Sequence, residues 1–242
     1  MMARTWQWIG FGLGLAVFLS FFLDVQLHGP MSKADQGAYD MVTRWQAQGF
    51  PANAIGDTVT LPVSVLWAVI ITVVTTLAFW FLRDRRMAFW AGASGLVAGA
   101  AIYALKQSIQ RPLPPRVAGA WYEWSFPSGH IISAVANVGF LWLLTAQVVV
   151  DLRGLEGRQA KRAWAWGIAA WVTWAVVMGL ARILSQAHWA ADVYASWAVG
   201  LAVACGVLLV ARLPWPPGLY PRGEPFRFGA FLRSLRGPGG GK

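Results

Sequence analysis

Apolar positions in this chain do not recur as stripes. They gather into six long runs, at about residues 6–23, 61–82, 87–105, 130–150, 164–184 and 189–211. Each is close to the ~20 residues that cross a hydrocarbon core as an α-helix, whereas β-barrel strands are shorter and alternate in polarity. The expected fold is all-α, a polytopic membrane protein with six transmembrane helices. The first run follows Arg4 in the manner of a signal peptide. Asp24-Val25-Gln26 stands where small residues would be needed for cleavage, so the run reads as a retained anchor helix. Residues 24–60 form a long connection in which Asp35, Asp40 and Arg44 have the spacing of a short amphipathic helix lying on the membrane. From Pro214 onward the chain turns to Pro, Gly and Arg. It therefore divides into a six-helix domain, 1–213, and a basic cytoplasmic tail, 214–242, with the composition of a disordered or surface-bound segment.

Composition agrees with the runs. Of the 242 residues, 57% are hydrophobic and only 12% charged, about half the charged fraction of a soluble domain. Many of the 16 Trp, including Trp6, Trp8, Trp67, Trp80, Trp90, Trp164 and Trp189, stand near the ends of runs, where the ring is half buried and its N–H stays wet. The net charge of +10 would point to nucleic acid in a soluble chain. Here the positions of the charges give another reason. With both termini cytoplasmic, all but six of the 20 Lys and Arg fall on the inner side, as the positive-inside rule requires. No nucleic-acid partner is implied. The single cysteine, Cys205, lies inside an apolar run and has no partner for a disulfide or a metal site.

Four of the six outer cations, Lys106, Arg111, Arg116 and Arg182, fall in two outer loops, against the general bias. They accompany Pro127-Ser128-Gly129-His130 at the start of the fourth run and His188 and Asp192 at the start of the sixth. A phosphoryl group in transit carries negative charge on its oxygens and is stabilised by fixed cations and aimed donors. Arg suits two-pronged contact with phosphate. A helix N-terminus at Ser128-Gly129-His130 presents free N–H groups to an anion, and Gly129 allows close approach. The chain has three His, and two of them, His130 and His188, are in these clusters. A neutral imidazole can attack phosphorus while a protonated one donates to the leaving oxygen. If the sixth helix has begun at His188, Asp192 lies one turn on along the same face and can hold the ring N–H. His28 is read as an ordinary interfacial residue.

These residues resemble the motifs of the type 2 phosphatidic acid phosphatase (PAP2) superfamily. That pattern is a Lys followed six residues later by Arg-Pro, then Pro-Ser-Gly-His, then Ser-Arg, five residues, His, three residues and Asp. Pro127-Ser128-Gly129-His130 matches the second part in full, and Arg182, His188 and Asp192 match the third. The resemblance covers about residues 105–201, and the six-helix layout extends it to a PAP2-type bundle. It implies that His188 is the nucleophile, Asp192 its orienting carboxylate and His130 the acid for the leaving group. It makes Lys106, Arg182, Ser128 and Gly129 phosphate ligands. It implies no metal and no cofactor. Two positions depart from the pattern. Leu113 occupies the place of the first-motif Arg, leaving Arg111, favoured because Arg111-Pro112 keeps the dipeptide, or Arg116 to take that part. Ala181 stands where the third motif has Ser.

The implied activity is hydrolysis of a lipid phosphate or diphosphate through a phosphohistidine, on the periplasmic face of a bacterial inner membrane. Undecaprenyl diphosphate is the first candidate substrate, followed by phosphatidylglycerophosphate and phosphatidate. The expected partners are that lipid and the bilayer, with no obligate protein partner. Two rivals use the same residues: phosphotransfer to another lipid such as lipid A, and a transporter or scramblase that binds headgroups without turnover.

Overall fold

A computed structural model describes residues 2–61, 65–81, 85–118, 124–139, 141–142, 149–150 and 153–211. The regular structure among them is helical: α1 (Met2–Gln26), α2 (Pro30–Ala47), α3 (Ala52–Thr60), α4 (Val65–Phe81), α5 (Arg85–Ile109), α6 (Gly129–Ser133, continuing as a π-helical turn over Ala134–Val138), α7 (Gly157–Leu184) and α8 (Ala190–Ala211). Four of these helices contain stretches long and apolar enough to cross a membrane: Gln7–Gln26, Ala88–Ile109, Gly157–Leu184 and Ala190–Val207. Two shorter apolar helices, Leu66–Phe81 and Gly129–Val138, stand where the second and fourth runs were expected. The expectation of apolar helices at six places holds, while the count of six full spans does not follow from the described residues. The fourth run is described only in part, and the 214–242 tail lies outside the described residues.

The short helix α6 is the central post. Its apolar residues meet neighbouring helices on several sides, while His130, Ser133 and Asn137 form one polar stripe along it. Ile131, Ala134, Val135 and Val138 pack on Met178 of α7 and Val193 of α8, while Ile132 and Ala136 meet Ala98 of α5 and Val199 of α8. Its π turn widens the helix and releases backbone carbonyls, which side chains then satisfy. Trp171 Nε1 donates to the Val135 carbonyl at 3.1 Å and Ser94 Oγ to that of Ala136 at 3.5 Å. Around the post, α1 runs along α8, α4 along α5 and α3 along α7. Large apolar side chains on the outer faces, such as Leu13, Leu66, Leu96 and Trp166, are exposed, as a lipid-facing surface requires.

The connection at 24–60 differs from the short surface helix expected there. It forms two helices, and α2 buries Asp35 and Val42, two turns apart on one face, against the bundle. Asp24 at the end of α1 starts α2 by accepting from Met31 N at 3.2 Å and Ser32 N at 2.7 Å, so satisfying N–H groups the helix cannot use itself. The α7 helix begins at Gly157, seven residues before the apolar run it carries, and includes Arg158, Lys161 and Arg162. Helical hydrogen bonding continues past the edge of the apolar stretch because these side chains carry no breaker.

The contact of α1 with α8 depends on a missing side chain. A Cβ on Gly14 would lie 2.8 Å from the Ala198 carbonyl oxygen and 3.0 Å from Ala202 N, whereas one on Gly12 would meet nothing within 4 Å. Small residues allow such close helix pairing in membranes. Gly14→Leu is expected to lower the melting temperature in detergent by several degrees, consistent with an overpacking cost of about 1–3 kcal/mol. Gly12→Leu should leave it unchanged, and paired melting curves check this.

Candidate active site

The C-terminal ends of α5 and α7 and the N-terminal ends of α6 and α8 lie at one end of the bundle, and each delivers part of the site. Lys106 comes from the last turn of α5, His130 from the first turn of α6, Arg182 from the last turn of α7 and His188 from the short connection before α8. All four line one cavity of about 550 Å³, with Gly129, Ser133 and Asn137 beside them. The rest of its wall comes from α4 and α5, including Val69, Thr72, Val73, Leu96, Gly99 and Tyr103. Leu96 and Tyr103 are 76% and 70% exposed, so the cavity opens sideways between these two helices. Lys106 Nζ donates to the Trp124 carbonyl, and Arg182 Nη1 lies 3.5 Å from Thr60 Oγ1. These contacts tie the two cations to the walls beside the histidines.

The sixth helix has not begun at His188, so His188 and Asp192 do not share a helix face. The helix begins at Ala190, which makes Trp189 its N-cap residue and Asp192 its third residue. Asp192 Oδ2 accepts the Trp189 backbone N–H at 3.0 Å, the reach-back half of a capping box. The same oxygen lies 3.6 Å from His188 Nδ1, an ion-pair separation rather than a hydrogen bond. The cap thus presents the carboxylate to the ring even though the ring is outside the helix. Burial, the largest influence, holds the His188 imidazole down at about 4. Asp192 pulls the other way, and Arg182 and Lys106 reinforce the lowering. The ring is therefore neutral near neutral pH, the form in which a nitrogen lone pair can attack.

Ser128 is the N-cap residue of α6 and is fully buried. Its backbone N–H donates to Ser196 Oγ at 2.7 Å, and that hydroxyl donates to the Asp192 carbonyl at 2.5 Å. Ser196 thus joins the turn carrying Pro127-Ser128-Gly129-His130 to the first turn of α8. The Ser128 hydroxyl is buried and finds no hydrogen-bond partner among the described residues.

The structure places neither of the two loop arginines on the cavity wall. Arg111 splits its guanidinium between two buried carboxylates, with Nη1 2.6 Å from Asp192 Oδ1 and Nη2 2.5 Å from Asp35 Oδ2. Its guanidinium carbon stands 5.6 Å over the Trp189 ring. Trp189 Nε1 in turn donates to the Pro112 carbonyl at 3.0 Å. The Arg111-Pro112 dipeptide, identified from the sequence as a phosphate contact, here braces the start of α8. Arg116 pairs with Asp57 of α3 at 2.5 Å and donates to the Ser185 carbonyl, so it braces the end of α7.

Two residues of this network escape a reading of the sequence. Asp35 is 2% exposed and accepts the Ala191 N–H at 2.8 Å as well as Arg111. Burial pushes its carboxyl above the ordinary carboxylate range, and the bonds from Arg111 and Ala191 oppose that. Nothing in the spacing of Asp35 and Asp40 reveals which of the two turns inward. Ser196 has a weak signal, since it follows Asp192 by one helical turn. The helix α2 also holds the His188 connection through Gln186, whose backbone is left-handed at φ 49°. Its amide donates to the Tyr39 carbonyl at 3.0 Å and Thr43 Oγ1 at 2.8 Å. Among the described residues no group of three or more His, Cys, Asp or Glu is arranged to hold a metal ion.

Comparison with known proteins bears on the fold and the family. The chain resembles the crystal structure of a transmembrane PAP2-type phosphatidylglycerolphosphate phosphatase from Bacillus subtilis, with a TM-score of 0.61 and 19% sequence identity over 81% of this chain and 94% of that one. At that identity the likeness concerns the fold. No curated protein gives a significant match. The PAP2 superfamily model matches residues 68–215, which include all three motif regions. Since that match covers more than half of the sequence, the chain belongs to the PAP2 superfamily.

Proposed function

We propose that this membrane protein hydrolyses the phosphate or diphosphate of a lipid, with His188 as nucleophile. The observation that carries the reading is a single cavity with two histidines and two cations at its polar end and an apolar wall that opens between α4 and α5. A headgroup reaches the cations while its chains stay against apolar helix faces. The His188 ring nitrogen remote from Asp192 supplies an electron pair to phosphorus, and the bond from phosphorus to the leaving oxygen breaks. His130, which takes up a proton as the bound phosphate offsets the charge of Arg182 and Lys106, gives that oxygen a proton. Water then attacks the phosphohistidine, His130 takes its proton, and inorganic phosphate leaves with His188 neutral again. Lys106 and Arg182 offset the charge on the phosphoryl oxygens. Ser128 and Gly129 complete the cradle. Arg111 and Arg116 act through the carboxylates they bind.

The basic-residue distribution supports a bacterial inner membrane with both termini cytoplasmic and the site on the periplasmic side. Undecaprenyl diphosphate stays first among the candidate substrates. Phosphatidylglycerophosphate, the type of substrate for which the Bacillus subtilis neighbour is named, and phosphatidate follow.

Phosphate release from these three lipids in detergent, with EDTA present throughout, tests the reading. The wild type should turn over at least one of them, and His188→Ala should lower the rate by ~10³-fold or more with the fold intact. Activity lost to EDTA, or retained by His188→Ala, contradicts the mechanism. The lateral opening gives a second prediction. Gly99 lines the cavity, and a Cβ there would meet nothing within 4 Å. Gly99→Leu should therefore place its side chain in the lipid path without disturbing packing. It is expected to slow a long-chain lipid phosphate several-fold and to spare p-nitrophenyl phosphate. Equal slowing of both would show that the lipid does not lie along this wall.

A further inference from the structure

Asp35 enters the site from α2, outside the three motifs, and reaches no cavity wall. Its effect is on Arg111. A guanidinium has a strong tendency to close both prongs on one carboxylate. Here Arg111 does not do so: Nη1 takes Asp192 Oδ1 and Nη2 takes Asp35 Oδ2. Asp192 Oδ2 is thereby left to the Trp189 N–H at 3.0 Å and to His188 Nδ1 at 3.6 Å. Asp35 is itself fixed by the Ala191 N–H at 2.8 Å, at the positive end of the α8 dipole.

We propose that Asp35 is a positioning residue for the His188–Asp192 pair, holding one prong of Arg111 so that Asp192 keeps one carboxylate oxygen for the imidazole. If the charge on Asp35 is removed, Arg111 is free to close on both oxygens of Asp192. The ring then loses the nearby negative charge, 3.6 Å from Nδ1, that favours a proton on Nδ1 and a lone pair on the other nitrogen. The arrangement makes the surface-connected helix α2 part of the reaction centre. A mere cap for α8 would need only an acceptor for the Ala191 N–H, which a neutral side chain also supplies.

The kinetic arm of the test rests on the phosphatase reading, and the spectroscopic arm does not. Asp35→Asn keeps the shape and the acceptor, and Asp35→Ser is a second neutral replacement. Asp24→Asn is the control, because it weakens the start of α2 without touching Arg111. With ¹⁵N-labelled histidine there are only three imidazoles, His28, His130 and His188, and His188→Ala assigns the third. At neutral pH, wild type and Asp24→Asn should show His188 with its proton on Nδ1, and the Asp35 variants should show a mixture of tautomers. With a lipid phosphate, kcat should fall ~10- to 100-fold in the Asp35 variants, with KM changed less than about 3-fold. An unchanged His188 tautomer in folded Asp35→Asn and Asp35→Ser overturns the proposal. So does failure of both variants to fold, which would make Asp35 a structural cap. If wild type releases no phosphate while the tautomer shifts as described, the phosphatase reading fails and the positioning role stands.

Discussion

The whole catalytic end depends on one buried carboxylate. Asp192 is fully excluded from solvent, and each of its oxygens is bonded: one to Arg111, the other to the Trp189 N–H, with the His188 ring 3.6 Å from that second oxygen. A buried charge in a membrane protein is expensive unless it is paired and hydrogen-bonded. Those requirements explain much of the surrounding structure. They draw Arg111 and its loop onto α8, bring Asp35 in from α2 to share the guanidinium, and set the carboxylate beside His188, two residues before the helix. The same helix turn reaches the Ser128 turn through Ser196. The turn that precedes His130 and the first turn of α8 are thus joined in one hydrogen-bonded unit.

The membrane sets the other constraint. Helices in lipid gain nothing from burying apolar surface against each other, so close packing and small residues decide which of them touch. The tight pair formed by α1 and α8 supports the helix that carries Asp192. The pair formed by α4 and α5 leaves a lateral opening with an apolar lining that ends at Lys106, His130, Arg182 and His188. Charge and apolar wall share one cavity, which suits a molecule with a phosphate at one end and hydrocarbon at the other.

Much of this was legible in the sequence. Long apolar runs identify membrane helices because the bilayer demands length, and the histidine motifs identify the chemistry because few other arrangements need those residues at those spacings. What the sequence leaves hidden has a shared physical cause. The resemblance to the first motif makes Arg111 or Arg116 a phosphate contact, and the neighbouring sequence shows neither one's carboxylate partner. Their partners, Asp35 and Asp57, lie 76 and 59 residues away in a segment that looked like a surface helix. Long-range pairing of charges leaves no local periodicity. The relation of His188 to Asp192 is hidden in a similar way. A four-residue spacing suggests two positions on one helix, but here the spacing is produced by a cap, with the carboxylate reaching back to a residue outside the helix.

The central claim is that phosphate passes through covalent attachment to His188. Rapid quench of the enzyme with ³²P-labelled lipid phosphate into alkali, followed by mass spectrometry of the peptide containing His188, tests it most directly. An alkali-stable, acid-labile phosphate on His188, formed and lost at rates compatible with turnover and absent in His188→Ala, is the predicted result. Turnover in which the label appears on another residue, or at no residue under single-turnover conditions that accumulate product, would contradict the account.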